Sequence, residues 1–169
     1  MNHKIIKVKS SDFKILSDLC KQIYPQTYTY LWHDEGEWYI EKMYNLQKMK
    51  DELEDRNVAF YFLSIDDIPR GYLKVNYSFQ GEFESFDIER IYLDQAFARK
   101  GFGNIMLNFG IDIAREMGKK TVYLKVMASS LGNIEFYQKN GFKTLETDYL
   151  NFETMKMEYR WLITMKKIL

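Results

Sequence analysis

A short glycine-containing turn is the sharpest chemical feature of the sequence. It consists of Arg99, Lys100, Gly101, Phe102 and Gly103. Glycines ahead of a helix let backbone N–H groups approach an anion, and two cationic side chains lie beside them. A Gly-Lys-Ser/Thr run is absent, and Met106 replaces the third glycine of a dinucleotide fingerprint. The turn therefore predicts a phosphate ligand of another kind, with a plain tight turn before a helix as the alternative.

A segment rich in aromatic and acidic residues, from 24 to 37, is the second candidate site. Its candidate substrate-binding residues are Tyr28, Tyr30, Asp34 and Glu35. A second acidic series follows at Glu82, Glu84, Asp87 and Glu89. Carboxylates beside aromatic faces suit a cationic amine through ion pairing and cation–π contact. Surface acids that serve solubility are the alternative explanation.

The composition of the chain limits the functions that these residues can have. The chain carries 24 Lys plus Arg and 24 Asp plus Glu, so its formal net charge is zero, which argues against nucleic-acid and membrane-surface partners. Cys20 is the only cysteine and the two histidines form no metal constellation. No stretch reaches the roughly 20 apolar residues of a membrane-spanning helix. We therefore expect one cytoplasmic domain over residues 1–169, without a metal site.

Hydrophobic periodicity predicts the elements that must position the candidate residues. Strands are expected at 5–8, 58–65, 72–79, 85–93, 121–126, from 142 onward, and at 155–163. Helices are expected from 13 onward and at 38–55, 101–117 and 131–140. Turn residues between 66 and 71 join the second and third strands as a hairpin. This order of elements describes an α/β or α+β domain with a mixed sheet.

The strand over 85–93 contains a break in its alternation. Phe86 and Ile88 are apolar at even positions, whereas Ile91 and Leu93 are apolar at odd positions. One extra residue near Glu89, a β-bulge, would restore a common apolar face and leave backbone groups unpaired toward a ligand. A regular strand covered on both faces is the alternative and requires no bulge.

A second motif, at residues 133–142, follows the glycine turn by about thirty residues and reads NIEFYQKNGF. Together with that turn and the strands at 89–93 and 121–126, it resembles the GNAT N-acetyltransferase superfamily. The resemblance implies a mostly antiparallel central sheet of about seven strands, with helices on both faces and a splayed parallel strand pair. Length, element order and the strand at 89–93 further resemble the PaiA-type polyamine acetyltransferases.

The same resemblance implies acetyl-CoA as the cofactor. Family members hold its pyrophosphate on backbone N–H groups of a Q/R-x-x-G-x-G/A turn, which corresponds to residues 98–103. Both glycines match, but Ala98 stands where the family has Gln or Arg. The side-chain contact at that position is therefore missing, and Arg99 or Lys100 is expected to supply one from an adjacent position.

The resemblance also assigns roles along the rest of the cofactor. Its arm is implied to lie where the strands at 85–93 and 121–126 splay apart. The backbone of Ile91 and Leu93 is implied to bind the thioester carbonyl and the pantetheine amides. Asn133 is implied to lie near the sulfur.

Two residues are candidates for the proton transfers of amine acetylation. Tyr137 matches the family's general acid and lies one helical turn beyond Asn133, so both side chains are expected to point at the sulfur region. Glu89 lies where several family members place a carboxylate that deprotonates the amine, directly or through water. Asp87 shares its strand face if no bulge intervenes. The alternatives are an ordinary helix aromatic for Tyr137 and a solvated rim carboxylate for Glu89.

These features predict an N-acetyltransferase that transfers an acetyl group from acetyl-CoA to a primary amine by direct attack in a ternary complex. The acceptor is expected to be a small molecule, with spermidine or spermine as the narrower hypothesis. The alternative is a sensor module that binds acyl-CoA without transfer, although the presence of both Asn133 and Tyr137 favours catalysis. Exposed late strands often pair in this superfamily, so the strand at 155–163 is expected to contribute to a homodimer.

Overall fold

The computed structural model covers residues 1–169 and contains one seven-stranded sheet. The strands are β1 (His3–Lys7), β2 (Val58–Ile65), β3 (Ile68–Asn76), β4 (Ser85–Leu93), β5 (Thr121–Met127), β6 (Lys143–Tyr149) and β7 (Trp161–Ile168). The helices are α1 (Phe13–Ile23), α2 (Pro25–Tyr28), α3 (Glu37–Tyr44), α4 (Leu46–Glu54), α5 (Phe102–Glu116) and α6 (Leu131–Lys139). The sheet order is β1-β2-β3-β4-β5-β7-β6, and β4–β5 is its only parallel pair. The predicted fold class is confirmed.

Strand β2 shows why helices cover both faces of the sheet. Tyr61 and Leu63 face a buried cluster of 18 residues built around α5, which we call the α5 core. Phe60 and Phe62 point to the opposite face, into a cluster of 11 buried residues built around α1 and α4, the α1 core. Because each buried apolar side chain contributes about 1.5–3 kcal/mol, both faces need a helical cover. Cys20 lies in the α1 core, where burial raises the pKa of its thiol to about 12.

The β-bulge that the broken alternation indicated is present in β4. Lys74 pairs with Arg90, whereas the next residue, Val75, pairs with Ile88, so Glu89 is the extra residue. The apolar residues on both sides of the bulge then share the α5 core, and these are Phe86, Ile88, Ile91 and Leu93. The bulge interpretation is confirmed over that of a regular strand.

Strands β4 and β5 pair only where they begin. Their register joins Ser85 to Thr121, Phe86 to Val122 and Asp87 to Tyr123. Beyond Asp87 the two strands continue without pairing to one another. The predicted splayed parallel pair is therefore confirmed, and it opens one residue before the bulge begins.

The β2–β3 hairpin is tighter than the turn residues predicted. Asp66 and Asp67 have φ values of 49° and 65°, the left-handed conformation that a two-residue type I′ turn requires. Strand β3 therefore begins at Ile68, ahead of the expected position 72, and ends at Asn76. Pro69 lies inside it beside a register shift of β2, where a strand tolerates proline.

The single helix predicted over 38–55 is wrong, because α3 and α4 are separate helices. Asn45 between them has extended backbone, with φ −65° and ψ 159°. Its side-chain Oδ1 accepts a hydrogen bond from the Lys48 backbone N–H at 2.8 Å, which caps α4. Apolar periodicity continues across such a cap, so the pattern did not show the break.

The last strand begins later than predicted. The bounds predicted for it, 155–163, are wrong, because β7 begins at Trp161. Met155 is 2% exposed, bridges to Trp32 and packs with Leu31 in a loop, and a short 3-10 turn follows it. Strand β7 lies between β5 and β6, so it has no free edge for a dimer; the two edge strands of the sheet are β1 and the exposed strand β6. None of the helices combines the length and apolar character needed to cross a bilayer.

Candidate active site

The glycine turn folds as an anion-binding helix start. Gly101 caps α5 with a φ of 87°, a left-handed conformation that glycine adopts without strain. The backbone N–H groups of Phe102, Gly103 and Asn104 donate to no acceptor within the protein. The side chain of Phe102 is 5% exposed in the α5 core, so only its backbone is available to a ligand. The turn thus presents three free donors at the positive end of a 15-residue helix.

Two cations stand beside these donors. Arg99 and Lys100 are both exposed, and neither forms an ion pair with another residue. The ammonium of Lys100 lies 5.2 Å from the centre of the Phe97 ring, and Arg70, which sequence motifs did not indicate, stacks on the same ring at 5.2 Å. The turn therefore has cationic side chains free to meet a diphosphate.

The unpaired stretch of β4 borders the same turn. On one side Ile91 pairs with Leu73 and Leu93 pairs with Gly71 in β3. On the other side this stretch has no strand partner, because β5 has already separated. Backbone groups along that edge are available to an extended ligand, and their binding of one at Ile91 and Leu93 stays a prediction.

Helix α6 joins the two sequence motifs in space. The ring of Phe136 lies over Gly103, since a Cβ added to that glycine would come within 3.7 Å of Phe136 Cζ. The Asn140 side chain donates to Asn104 Oδ1 at 3.2 Å. The helix that carries Asn133 and Tyr137 therefore packs directly against the start of α5.

Tyr137 of α6 lies near Tyr28, which belongs to the aromatic and acidic segment over residues 24–37, here called the aromatic loop. Burial raises the pKa of Tyr137 above its usual range, and the nearby Tyr28 raises it further. Its hydroxyl makes no hydrogen bond within the protein, and it stays protonated at neutral pH. Burial likewise raises the pKa of Tyr28 to about 12, opposed in part by an interaction with Asn133. The structure thus brings Tyr28, Asn133 and Tyr137 together, with a free hydroxyl that can donate a proton.

The bulge residue Glu89 lies in a network of charges on the α1 side of the sheet. Its carboxylate lies 2.7 Å from the Lys74 ammonium and 3.3 Å from the Arg90 guanidinium. Glu52 of α4 contacts the same two cations at 3.2 and 3.8 Å. Burial alone would raise the pKa of Glu89, but Arg90 and Lys74 outweigh burial and hold that pKa below its usual range.

Asp87 and Glu89 share one hydrogen-bond donor, the side-chain amide of Asn76. Asn76 Nδ2 donates to Asp87 Oδ2 and to Glu89 Oε2, each at 2.8 Å. Burial raises the pKa of Asp87 to about 6, with Asn76 opposing and Glu89 adding to that rise. The two carboxylates therefore differ in protonation behaviour, a pattern typical of acid–base sites.

The supporting residues of this network carry no sequence motif. Lys74 and Arg90 are 5% and 4% exposed, and Asn76 lies two residues after Lys74 in β3. The one available signal is a polar residue at every second position of a strand whose other face is apolar. The sequence does not show which carboxylates those residues would meet.

The four candidate residues of the aromatic loop separate into two groups. Tyr28 reaches α6, and the Tyr30 hydroxyl lies 2.8 Å from Ser129 Oγ, just before that helix. Asp34 accepts hydrogen bonds from two backbone N–H groups at the start of α3, at 3.0 and 2.8 Å, and so stabilises that start. Glu35 is exposed and forms no ion pair. Asp34 and Glu35 thus contact no other candidate residue.

A surface cavity of about 600 Å³ shares no residue with this site. It lies beside the end of β1 and the start of β2, and its charged lining mixes both signs. Lys7, Lys9 and Arg56 are opposed there by Glu54 and Asp55. The candidate site residues lie instead on β4, at the start of α5, on α6 and in the segment over 24–37.

The sequence matches a known family over the part of the chain that contains the candidate site residues. The profile of the Acetyltransferase (GNAT) family matches residues 18–142. This match covers more than half of the chain, so the chain belongs to the GNAT acetyltransferase family. The predicted resemblance is confirmed.

Individual relatives agree with this assignment. An uncharacterised N-acetyltransferase of Lactobacillus delbrueckii subsp. lactis is 31% identical over 107 residues, which are 61% of this chain and 62% of that protein, less than two-thirds of its length. A spermidine N(1)-acetyltransferase of Thermoplasma acidophilum is 24% identical over 157 residues, covering 90% of this chain and 95% of that protein. The PaiA N-acetyltransferase of Thermoplasma acidophilum, solved in complex with coenzyme A, superposes with a TM-score of 0.81 at 21% identity over 100% of both chains. The PaiA-type resemblance is thus confirmed for the fold.

Proposed function

We propose that this protein is an N-acetyltransferase that uses acetyl-CoA to acetylate a primary amine by direct attack in a ternary complex. The observation that carries the proposal is the packing of α6 on the start of α5. The free N–H groups of the glycine turn lie at the start of α5, and the free hydroxyl of Tyr137 lies on α6. These two helices contact each other beside the splayed strands.

The residues present fit acetyl-CoA. The N–H groups of Phe102 and Gly103, with Arg99 and Lys100, would hold the diphosphate, and Gly101 allows the turn. The unpaired edge of β4 at Ile91 and Leu93 would hold the pantetheine arm, with Asn133 near its sulfur end. When bound, acetyl-CoA supplies an activated acetyl group as a thioester. Backbone donors aimed at the carbonyl oxygen would contribute a few kcal/mol each to catalysis.

We assign the two proton transfers to Tyr137 and to the pair of Asp87 and Glu89. An amine must lose a proton before it attacks, and the departing thiolate benefits from gaining one. Tyr137 would donate the second proton, because its hydroxyl is protonated and unpartnered. The transfer forms the amide C–N bond, breaks the thioester C–S bond and leaves a free thiol.

The first proton would pass to the pair of Asp87 and Glu89, directly or through water. Lys74 and Arg90 keep Glu89 ionised, so Glu89 is a weak proton acceptor on its own. Its charge helps to hold the pKa of Asp87 near 6, which suits a base that must be ionised at neutral pH. Because Asn76 joins the two carboxylates, the pair is expected to titrate as one coupled unit.

The acceptor that fits best is a polyamine such as spermidine. Tyr28 and Tyr30 line the approach to α6, and Glu35 is an unpaired carboxylate on the same loop. Aromatic faces and carboxylates favour a multiply charged amine. The similarity of this chain to the spermidine N(1)-acetyltransferase of Thermoplasma acidophilum supports this choice.

A thiol-release screen tests the proposal. Acetyl-CoA is offered with polyamines, amino acids, aminoglycosides and peptide amines, and the free thiol is measured. We expect release with spermidine or spermine above all other acceptors. Release with a peptide or amino acid alone would overturn the polyamine assignment, and acetyl-CoA binding without release on any amine would favour a sensor module.

A further inference from the structure

A small pocket opens beside the end of β5 and is not used by the proposed mechanism. Its volume is about 210 Å³, and its lining consists of Ala128, Ser129, Glu158, Tyr159 and Trp161. The Ala128 N–H donates to the Trp161 carbonyl at 2.9 Å, so the backbone across the pocket is fixed. The space corresponds to about seven water molecules, enough for a short alkylamine arm.

The pocket adjoins the proposed active site through the aromatic loop. Tyr30 touches it twice, with its hydroxyl 2.8 Å from Ser129 Oγ and its ring edge-on to Tyr159 at 5.0 Å. Two residues earlier in the same loop, Tyr28 interacts with Asn133 of α6. The segment that carries Tyr28 and Tyr30 therefore contacts both the surroundings of Tyr137 and this pocket.

The lining has one charge and that charge is unpaired. Glu158 is the only charged residue of the pocket, and its carboxylate forms no ion pair in the protein. The neighbouring cation in sequence, Arg160, is engaged elsewhere, because its Nε donates to the Met155 carbonyl at 3.0 Å. Tyr159 and Trp161 line the same pocket. A carboxylate and aromatic side chains in one pocket suit an organic ammonium, through ion pairing and cation–π contact.

We propose that this pocket binds the second, non-reacting ammonium group of a diamine or polyamine acceptor. Glu158 pairs with the ammonium, and Tyr159 and Trp161 supply aromatic side chains in the same pocket. The inference rests on the proposed function, since the other amine of the same molecule is the one acetylated beside Tyr137. It adds a specificity site, because a monoamine of equal length leaves the pocket empty and gains nothing from Glu158.

The test compares two acceptors of equal carbon number, 1,4-diaminobutane and n-butylamine, on the full-length protein. The variant is Glu158→Gln, which keeps the shape and removes the charge. Glu146→Gln is the matched control, because Glu146 is an exposed glutamate of β6 without an ion pair. We expect kcat/KM for the diamine to fall about tenfold in E158Q, mainly through KM. The value for butylamine, the KM for acetyl-CoA and both values in E146Q should change less than twofold.

An equal loss for both acceptors in E158Q, or no loss for the diamine, would overturn the proposed pocket while leaving acetyl transfer intact. If no amine is acetylated at all, the proposed function fails instead, and binding decides the pocket separately. Calorimetry with spermidine then gives the answer: weaker binding to E158Q than to wild type and E146Q supports the pocket. Equal binding to all three proteins, or none, rejects it.

Discussion

Replacement of Asp87 by asparagine tests the proposed proton acceptor directly. Asn76 donates its hydrogen bonds to Asp87 and Glu89 at 2.8 Å, and an amide oxygen at position 87 can accept the same bond. The local packing is therefore kept, and the substitution removes the charge of the carboxylate and its capacity to take up a proton.

The expected effect on rate follows from the pKa of Asp87, which burial raises to about 6. Below that pH the ionised fraction, and with it kcat, should fall about tenfold for each pH unit in the wild type. In D87N this acidic limb should disappear, and kcat at pH 7.5 should be about 100-fold lower, the low end for loss of a general base. The assay is thiol release at saturating acetyl-CoA and amine between pH 5 and 9.

The same substitution should make the protein more stable at neutral pH. Because the pKa of Asp87 is higher in the folded state, its contribution to stability is full below the ordinary pKa of 3.8 and is lost as the pH rises through about 6. Two pKa units correspond to about 3 kcal/mol, so the free energy of unfolding of D87N at pH 7 should rise by about 1 to 3 kcal/mol. Urea unfolding at pH 7 and at pH 4 measures this gain, which should shrink at the lower pH.

Glu89→Gln is the control that separates the two carboxylates. Without the Glu89 charge the pKa of Asp87 should fall, so the acidic limb should move to lower pH and remain. E89Q should also lower stability, because Lys74 and Arg90 lose a buried counter-charge. An acidic limb that persists in D87N and vanishes in E89Q would refute the reasoning and make Glu89 the base. A D87N protein that is less stable at pH 7 would contradict the burial argument.

Three further outcomes are expected. Tyr137→Phe should lower kcat about 10- to 100-fold. The KM for acetyl-CoA and the melting temperature should stay nearly constant, because the hydroxyl has no partner in the protein. Unchanged turnover would show that Tyr137 is not the acid. Gly101→Ala forces a side chain into a φ of 87° and should cost about 1–2 kcal/mol of stability and raise the KM for acetyl-CoA severalfold. Gly118→Ala, with a φ of 69° at the other end of α5, should show a similar cost with an unchanged KM, and a raised KM in both would mean a general effect of instability.

Much of the fold, and the glycine turn, could be predicted from residues that lie close together in sequence. The apolar period of two or 3.6 predicts strands and helices because each side chain's direction depends only on its own backbone. The shift from even to odd apolar positions around Glu89 indicated the bulge for the same reason, with a regular strand as the alternative that the structure excluded. The break at Asn45 and the late start of β7 were missed, because a capping bond at one residue and a buried loop residue such as Met155 leave the pattern intact.

The sequence by itself thus determined the family, the positions of Gly101 and Tyr137, and the strand that carries the carboxylates. Only the tertiary structure decided how those groups behave. The contact between Asn76, Asp87 and Glu89 depends on the register of β3 with β4, and the Glu158 pocket joins residues about thirty positions apart. A pKa and a binding pocket are set by distances between side chains and by the exclusion of water, and those quantities exist only after the chain has packed.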